Sequence, residues 1–211
     1  MGAADSLMVK NRTRCRTEFS ALILLIAAIP AAAQQTDLKL DPSKTAVTIT
    51  LDAALHDVHG IFQAKPGLLQ FDPNSGQLSG EILVDAKSGV TGNGMRDRKM
   101  QRDILESDRY PEISFSPDRI SGVVARQGRS SVMVHGVFRI HGTSREITVP
   151  AAVDMNADSW TAMVHFTVPY AKWGMKNPST LFLRVSDSVE IDLATGGSVI
   201  QHSAANDRAV Q

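Results

Sequence analysis

Strict alternation of apolar and polar residues dominates the chain between residues 38 and 193. Val47, Ile49 and Leu51 fall on one face of a first extended run. Leu78, Gly80, Ile82, Val84 and Ala86 share a face in another. Residues 131–141 alternate over their whole length, with Val132, Val134, Gly136, Phe138 and Ile140 on one side. Residues 146–153 and 160–170 repeat the pattern, and residues 185–193 close the series with Val189, Ile191 and Leu193. Period two places every second side chain on the same face of a strand. Turn-forming residues separate the runs, Asp72-Pro73-Asn74-Ser75-Gly76 most clearly. The pattern predicts about eight antiparallel strands, each with one apolar face. Eight such strands suit a closed barrel around a filled core or one ligand, with a two-sheet sandwich as the alternative.

One stretch breaks the alternation. Residues 92–105 carry Arg96, Arg98, Lys99 and Arg102 in a dense cluster, with Asp97 and Asp103 among them. Asn93 supplies a helix cap, Met100 and Ile104 stand one helical turn apart, and Pro111 lies beyond the end. A short helical insertion around residues 93–105 is therefore expected beside the barrel. Residues 112–117 and 120–124 are read as separate strand segments after it, and residues 88–93 as a link before it.

The N-terminus changes the picture of the compartment. Lys10, Arg12, Arg14 and Arg16 precede the apolar run 21–29, and small residues follow up to Ala33. This three-part pattern is that of a secretory signal peptide over residues 1–33. Removing it takes four of 22 basic and two of 22 acidic side chains, leaving 18 and 20, a net charge of −2. It also removes Cys15, the one cysteine. The mature chain then has no disulfide and no thiol nucleophile, and no basic surplus for binding nucleic acid. A periplasmic or secreted protein without stable membrane insertion is expected, its domain covering 36–196 and its last residues, 197–211, forming a disordered tail.

Four segments carry a family resemblance: NGMRDRKMQRDIL at 93–105, YPEISF at 110–115, VHGVFRIHGTSREI at 134–147, and VSDSVEIDL at 185–193. In this order they resemble the YceI-like family of secreted lipocalin-like barrels. The resemblance implies an antiparallel barrel with an apolar channel for an isoprenoid lipid or quinone, and neither a cofactor nor an enzymatic activity. It departs at residues 56–62, HDVHGIF, and at 172–178, KWGMKNP, where ligand length or headgroup would differ.

The candidate channel residues are Val47, Ile49, Phe62, Ile82, Val84, Phe115, Phe138, Phe166 and Leu193, which would equally fill a plain core. Arg96, Asp97 and Arg98 are candidates for a headgroup at the channel mouth, since guanidinium forks suit phosphate-like groups. A solvated helix face fits them too. A metal site or an enzyme using the histidines or the Arg96/Asp97 helix is the alternative function. His56 and His59 form a short His-x-x-His, but in a turn. His135 and His141 stand roughly 20 Å apart along one strand, too far to share a metal. No Gly-x-Ser-x-Gly elbow is present. Trp173 is read as part of barrel closure. A homodimer through an edge or the barrel wall is compatible with these features.

Overall fold

The computed structural model describes residues 35–180 and 183–201. The expected signal peptide lies outside the described residues. Eleven strands form one sheet: β1 (Thr36–Leu40), β2 (Ala46–Leu51), β3 (Val58–Ala64), β4 (Gly67–Phe71), β5 (Leu78–Gly80), β6 (Ile82–Val90), β7 (Glu112–Ser121), β8 (Gly128–Ile140), β9 (Thr143–Met155), β10 (Ser159–Val168) and β11 (Val189–Gln201). Their order is β10-β9-β8-β7-β6-β3-β2-β11-β1-β4-β5, and β10 also pairs with β11. That last ladder closes a ring of eight strands, which leaves those strands without free edges.

The eleven segments are eight lengths of chain, three of them interrupted. A single helical turn, Pro42–Lys44, separates β1 from β2, and both run against β11. Lys65-Pro66 separates β3 from β4, and Glu81 separates β5 from β6. Proline has no N–H for a ladder, so a strand breaks or bulges there. The same reason explains one correction. Residues 120–124 do not start a new strand: β7 continues to Ser121 through a register shift between Pro117 and Arg119. β6 likewise runs on to Val90, into what the sequence suggests is a link. β11 extends through Gly197 to Gln201, past the expected start of the tail, because β1 supplies a ladder partner for it. Residues 202–211 lie outside the described residues.

Inward residues meet across these ladders. Val164 lies opposite Leu193, Leu193 opposite Val47, and Val47 opposite Phe62. Ile82 lies opposite Phe115, and Phe115 opposite Phe138. A one-residue slip in any ladder would turn these side chains to solvent, so the apolar alternation fixes the register. Phe138 packs edge-on to Phe166 at 5.6 Å and tilted to Trp173 at 6.0 Å. Trp173 belongs to the turn after β10 that covers this end of the barrel, as its sequence position suggested, and Arg145 stacks over it at 6.0 Å.

The hairpin between β8 and β9 joins two of the family-like segments. Ile140 pairs with Thr143, leaving His141 and Gly142 as a two-residue loop with φ of 51° and 70°. Positive φ at both positions is the turn whose twist matches antiparallel strands. Tyr110 lies under that loop, its ring 4.8 Å from His141. A Cβ at Gly142 would come within 2.4 Å of the Tyr110 ring. Gly142→Ala therefore meets both a left-handed backbone and a clash, and is expected to cost about 1–3 kcal/mol, read as a lowered urea midpoint.

Candidate functional site

The barrel holds a cavity of about 220 Å³ whose wall exposes apolar atoms only. All nine residues expected along a channel line it: Val47, Ile49, Phe62, Ile82, Val84, Phe115, Phe138, Phe166 and Leu193. On β9 the lining runs from Ile147 to Met155, roughly 26 Å at strand rise. Apolar cavities of this kind stay dry and accept hydrocarbon rather than water.

A helical segment lies beside this cavity and contributes to its wall. Asn93 Oδ1 accepts from the Met95 and Arg96 amides at 3.0 and 3.2 Å, starting α1 (Gly94–Lys99). The chain then widens into a π-helical turn, Met100–Ile104, whose signature bond runs from Leu105 N–H to Met100 O at 2.9 Å. One inserted residue rotates the following side chains, so Met100, Ile104 and Leu105 all reach the cavity wall. Gly89 allows this close approach: a Cβ there would lie 2.6 Å from Phe62 and 2.7 Å from Met100. Glu106, in the left-handed region with φ 46°, ends the segment.

Thr91 anchors the helix. Asp97 Oδ1 accepts from both the amide and the hydroxyl of Thr91. Arg96 donates Nε–H to the Thr91 hydroxyl and Nη2–H to its carbonyl, both at 2.7 Å. The two family-motif residues expected at a headgroup thus hold every polar atom of one threonine. Such charge-assisted bonds are stronger than neutral ones. Arg98 is exposed on α1 and lines neither the cavity nor its mouth, while Arg102 forks onto Asp103 at 2.7 and 2.9 Å. That bond holds the Asp103 carboxyl below its ordinary range.

The mouth is a groove of about 380 Å³ beside α1, lined also by the loop at 53–58 and by Pro178, Thr180, Leu183 and Val185. It shares Ile49, Leu51, Met100, Ile104 and Pro178 with the cavity wall. Thr91, Asn93, Arg96, Lys99 and His56 give it a polar side. Of Arg96, Asp97 and Arg98, the residues expected at a mouth, only Arg96 lines this groove, and Lys99 rather than Arg98 joins it there. Helical phase decides between them, and the π-turn made that phase hard to read. Leu55 and Leu183 were missed because each sits in an irregular stretch without periodicity.

The histidines do not converge. His59 bonds Thr50 at 3.1 Å, His135 bonds Asp118 at 2.7 Å, His165 bonds Asp192 at 2.8 Å, and His141 meets Glu106 at 3.3 Å. Among the described residues no three His, Cys, Asp or Glu side chains come together as a metal site would require.

Tyr170 closes the cavity beside Met175, and its hydroxyl donates to Ser186 O at 2.6 Å. Burial, and then the Asp187 charge, push this hydroxyl up to about 12. The unfolded chain releases that proton near 10, whereas the fold retains it. The Tyr170 contribution is therefore complete below about pH 10 and is lost as pH climbs toward about 12. Melting temperature should fall across that window more steeply in the unsubstituted protein than in Tyr170→Phe.

A model of the YceI-like domain matches residues 38–196, most of the chain. The chain belongs to the YceI-like family. Solved structures agree on the YceI-like fold. BcnA of Burkholderia cenocepacia superposes with a TM-score of 0.62 at 20% identity, covering 75% of this chain and 99% of that one. A polyisoprenoid binding domain from Saccharophagus degradans, implicated in plant cell wall breakdown, gives 0.62 at 15% identity over 75% and 95%. The YCEI protein of Campylobacter jejuni gives 0.54 at 17% identity over 67% and 84%. The sequence matches no curated protein. Among the described residues of this YceI-like chain, no helix is long and apolar enough to cross a membrane.

Proposed function

We propose that this chain is a non-catalytic carrier of a single-tailed amphiphile of the isoprenoid class, a polyisoprenoid or an isoprenoid quinone, in a periplasmic or secreted setting. The observation that carries this reading is a long cavity whose wall exposes no polar atom. Each methylene transferred from water to such a wall contributes about 0.8 kcal/mol, with no need for a specific contact. A polar headgroup finds no partner inside and has to remain at the mouth, beside Asn93, Lys99 and the Arg96 Nη1 that the Thr91 bonds leave unused. The relative whose name includes polyisoprenoid binding shares this fold, which supports the ligand class.

Native mass spectrometry of protein purified from its own host, followed by solvent extraction, tests the reading. One copy of a prenyl lipid or quinone per chain is expected. A chain that carries no extractable lipid and takes none up from a prenol dispersion rules the carrier reading out.

A further inference from the structure

The rim of the mouth is apolar and exposed, which a headgroup site alone does not require. Leu55 is 81% exposed and Met95 73%, and Leu183 is also exposed at 36%. All three line the mouth. They come from separate parts of the chain. Ala53 bridges Val185 in antiparallel register, and Ala54 N–H donates to Arg184 O at 3.0 Å. The same register sets Leu55 opposite Leu183. Met95 stands on α1, across the groove.

Cations flank these three side chains. Arg98 lies one turn on from Met95, on the same face of α1. Lys99 lines the mouth, and Arg184 is exposed beside Leu183. Among the described residues none of these three cations is in an ion pair. Of the neighbouring acids, Asp97 is held by Thr91 and Asp103, near Lys99, by Arg102. Asp52 and Asp57 are exposed on the facing loop.

We propose that this rim is a membrane-docking surface. Leu55, Leu183 and Met95 enter the headgroup layer of an anionic bilayer while Arg98, Lys99 and Arg184 meet its phosphates. An apolar tip ringed by Lys and Arg is the arrangement that binds a charged interface without spanning it. Docked in this way, the apolar side of the mouth opens onto acyl chains, and a tail passes from leaflet to cavity without crossing water. The inference rests on the cavity being a lipid-tail site.

The test is co-sedimentation of the signal-cleaved protein with two kinds of vesicle: pure phosphatidylcholine, and phosphatidylcholine mixed equally with phosphatidylglycerol. Binding to the anionic vesicles alone, weakened by salt, is expected. The double variant R98E/R184E should weaken it roughly 25-fold or more, since each cation contributes about fivefold. Leu55→Asp should weaken it about tenfold by removing the inserted side chain. Thermal melts verify that both variants fold. Uptake of N-phenylnaphthylamine by the unsubstituted protein in vesicle-free buffer reports on the cavity separately. Uptake with no preference for anionic vesicles, or with binding unchanged in both variants, overturns the docking surface and leaves the cavity reading standing. Absence of uptake overturns the cavity reading, and the docking inference with it.

Discussion

Phe138→Ala is expected to destabilise the protein by about 3 kcal/mol, at the lower end of the range for aromatic-to-alanine changes in a core. Phe138 is only 5% exposed and joins the Phe166 and Trp173 rings, so truncation removes two aromatic contacts as well as buried area. The lower end applies because one side of the ring already faces the cavity, where no atoms are lost. In a domain of this size the loss corresponds to a melting temperature lower by roughly 6–12 °C. The same variant enlarges the cavity, so apolar probe uptake should persist in the folded protein. Calorimetry with and without probe reads both effects. A melting temperature unchanged by Phe138→Ala would mean that the aromatic cluster does not hold this end of the barrel.

Ala162→Phe should have the opposite pair of effects. Ala162 faces the cavity from β10, between inward neighbours Trp160 and Val164. A ring at this position projects into empty space, whereas overpacking a filled core costs about 1–3 kcal/mol. Stability should therefore hold within about 1 kcal/mol, while a tail could no longer thread past the ring. Retention of a prenol or apolar probe is expected to drop more than tenfold, which is about 1.4 kcal/mol or more. Equal retention in Ala162→Phe would place the ligand somewhere other than this cavity. Melting temperature and fluorescent probe titration on the same preparation distinguish a blocked cavity from a misfolded barrel.

Taken together, the two variants separate stability from ligand capacity, which a single core mutation cannot do. The nine residues that line the cavity follow from the alternation, whereas the lining of the groove beside α1 does not. Each channel residue sits on a strand whose alternation leaves one choice of inward face, and the ladder carries that choice to its neighbours. Val47, Phe62 and Leu193, for example, belong to three distant stretches of chain and meet because each obeys the same period. Arg96 and Asp97 follow no such rule. Whether they meet a headgroup or a threonine depends on where β6 ends relative to the helix, and the amino-acid pattern does not encode that distance. Thr91 occupies that position, and it takes their hydrogen bonds.

Local alternation was thus enough to predict about eight antiparallel chain lengths, each with one apolar face, and a capped helix beside them, with a closed barrel and a two-sheet sandwich both compatible. Those features follow from where each side chain must point on a strand and from which groups can end a helix. Other features required the closed ring. β11 continues past Gly197 because β1 is beside it, β7 crosses Pro117 by shifting register, and the Tyr110 ring meets the His141-Gly142 turn. Leu55 and Leu183 become a pair only when residues 53 and 185 bridge. Period and capping act within a few residues of the chain. The open cavity and its exposed rim are set by contacts between segments that the sequence keeps far apart.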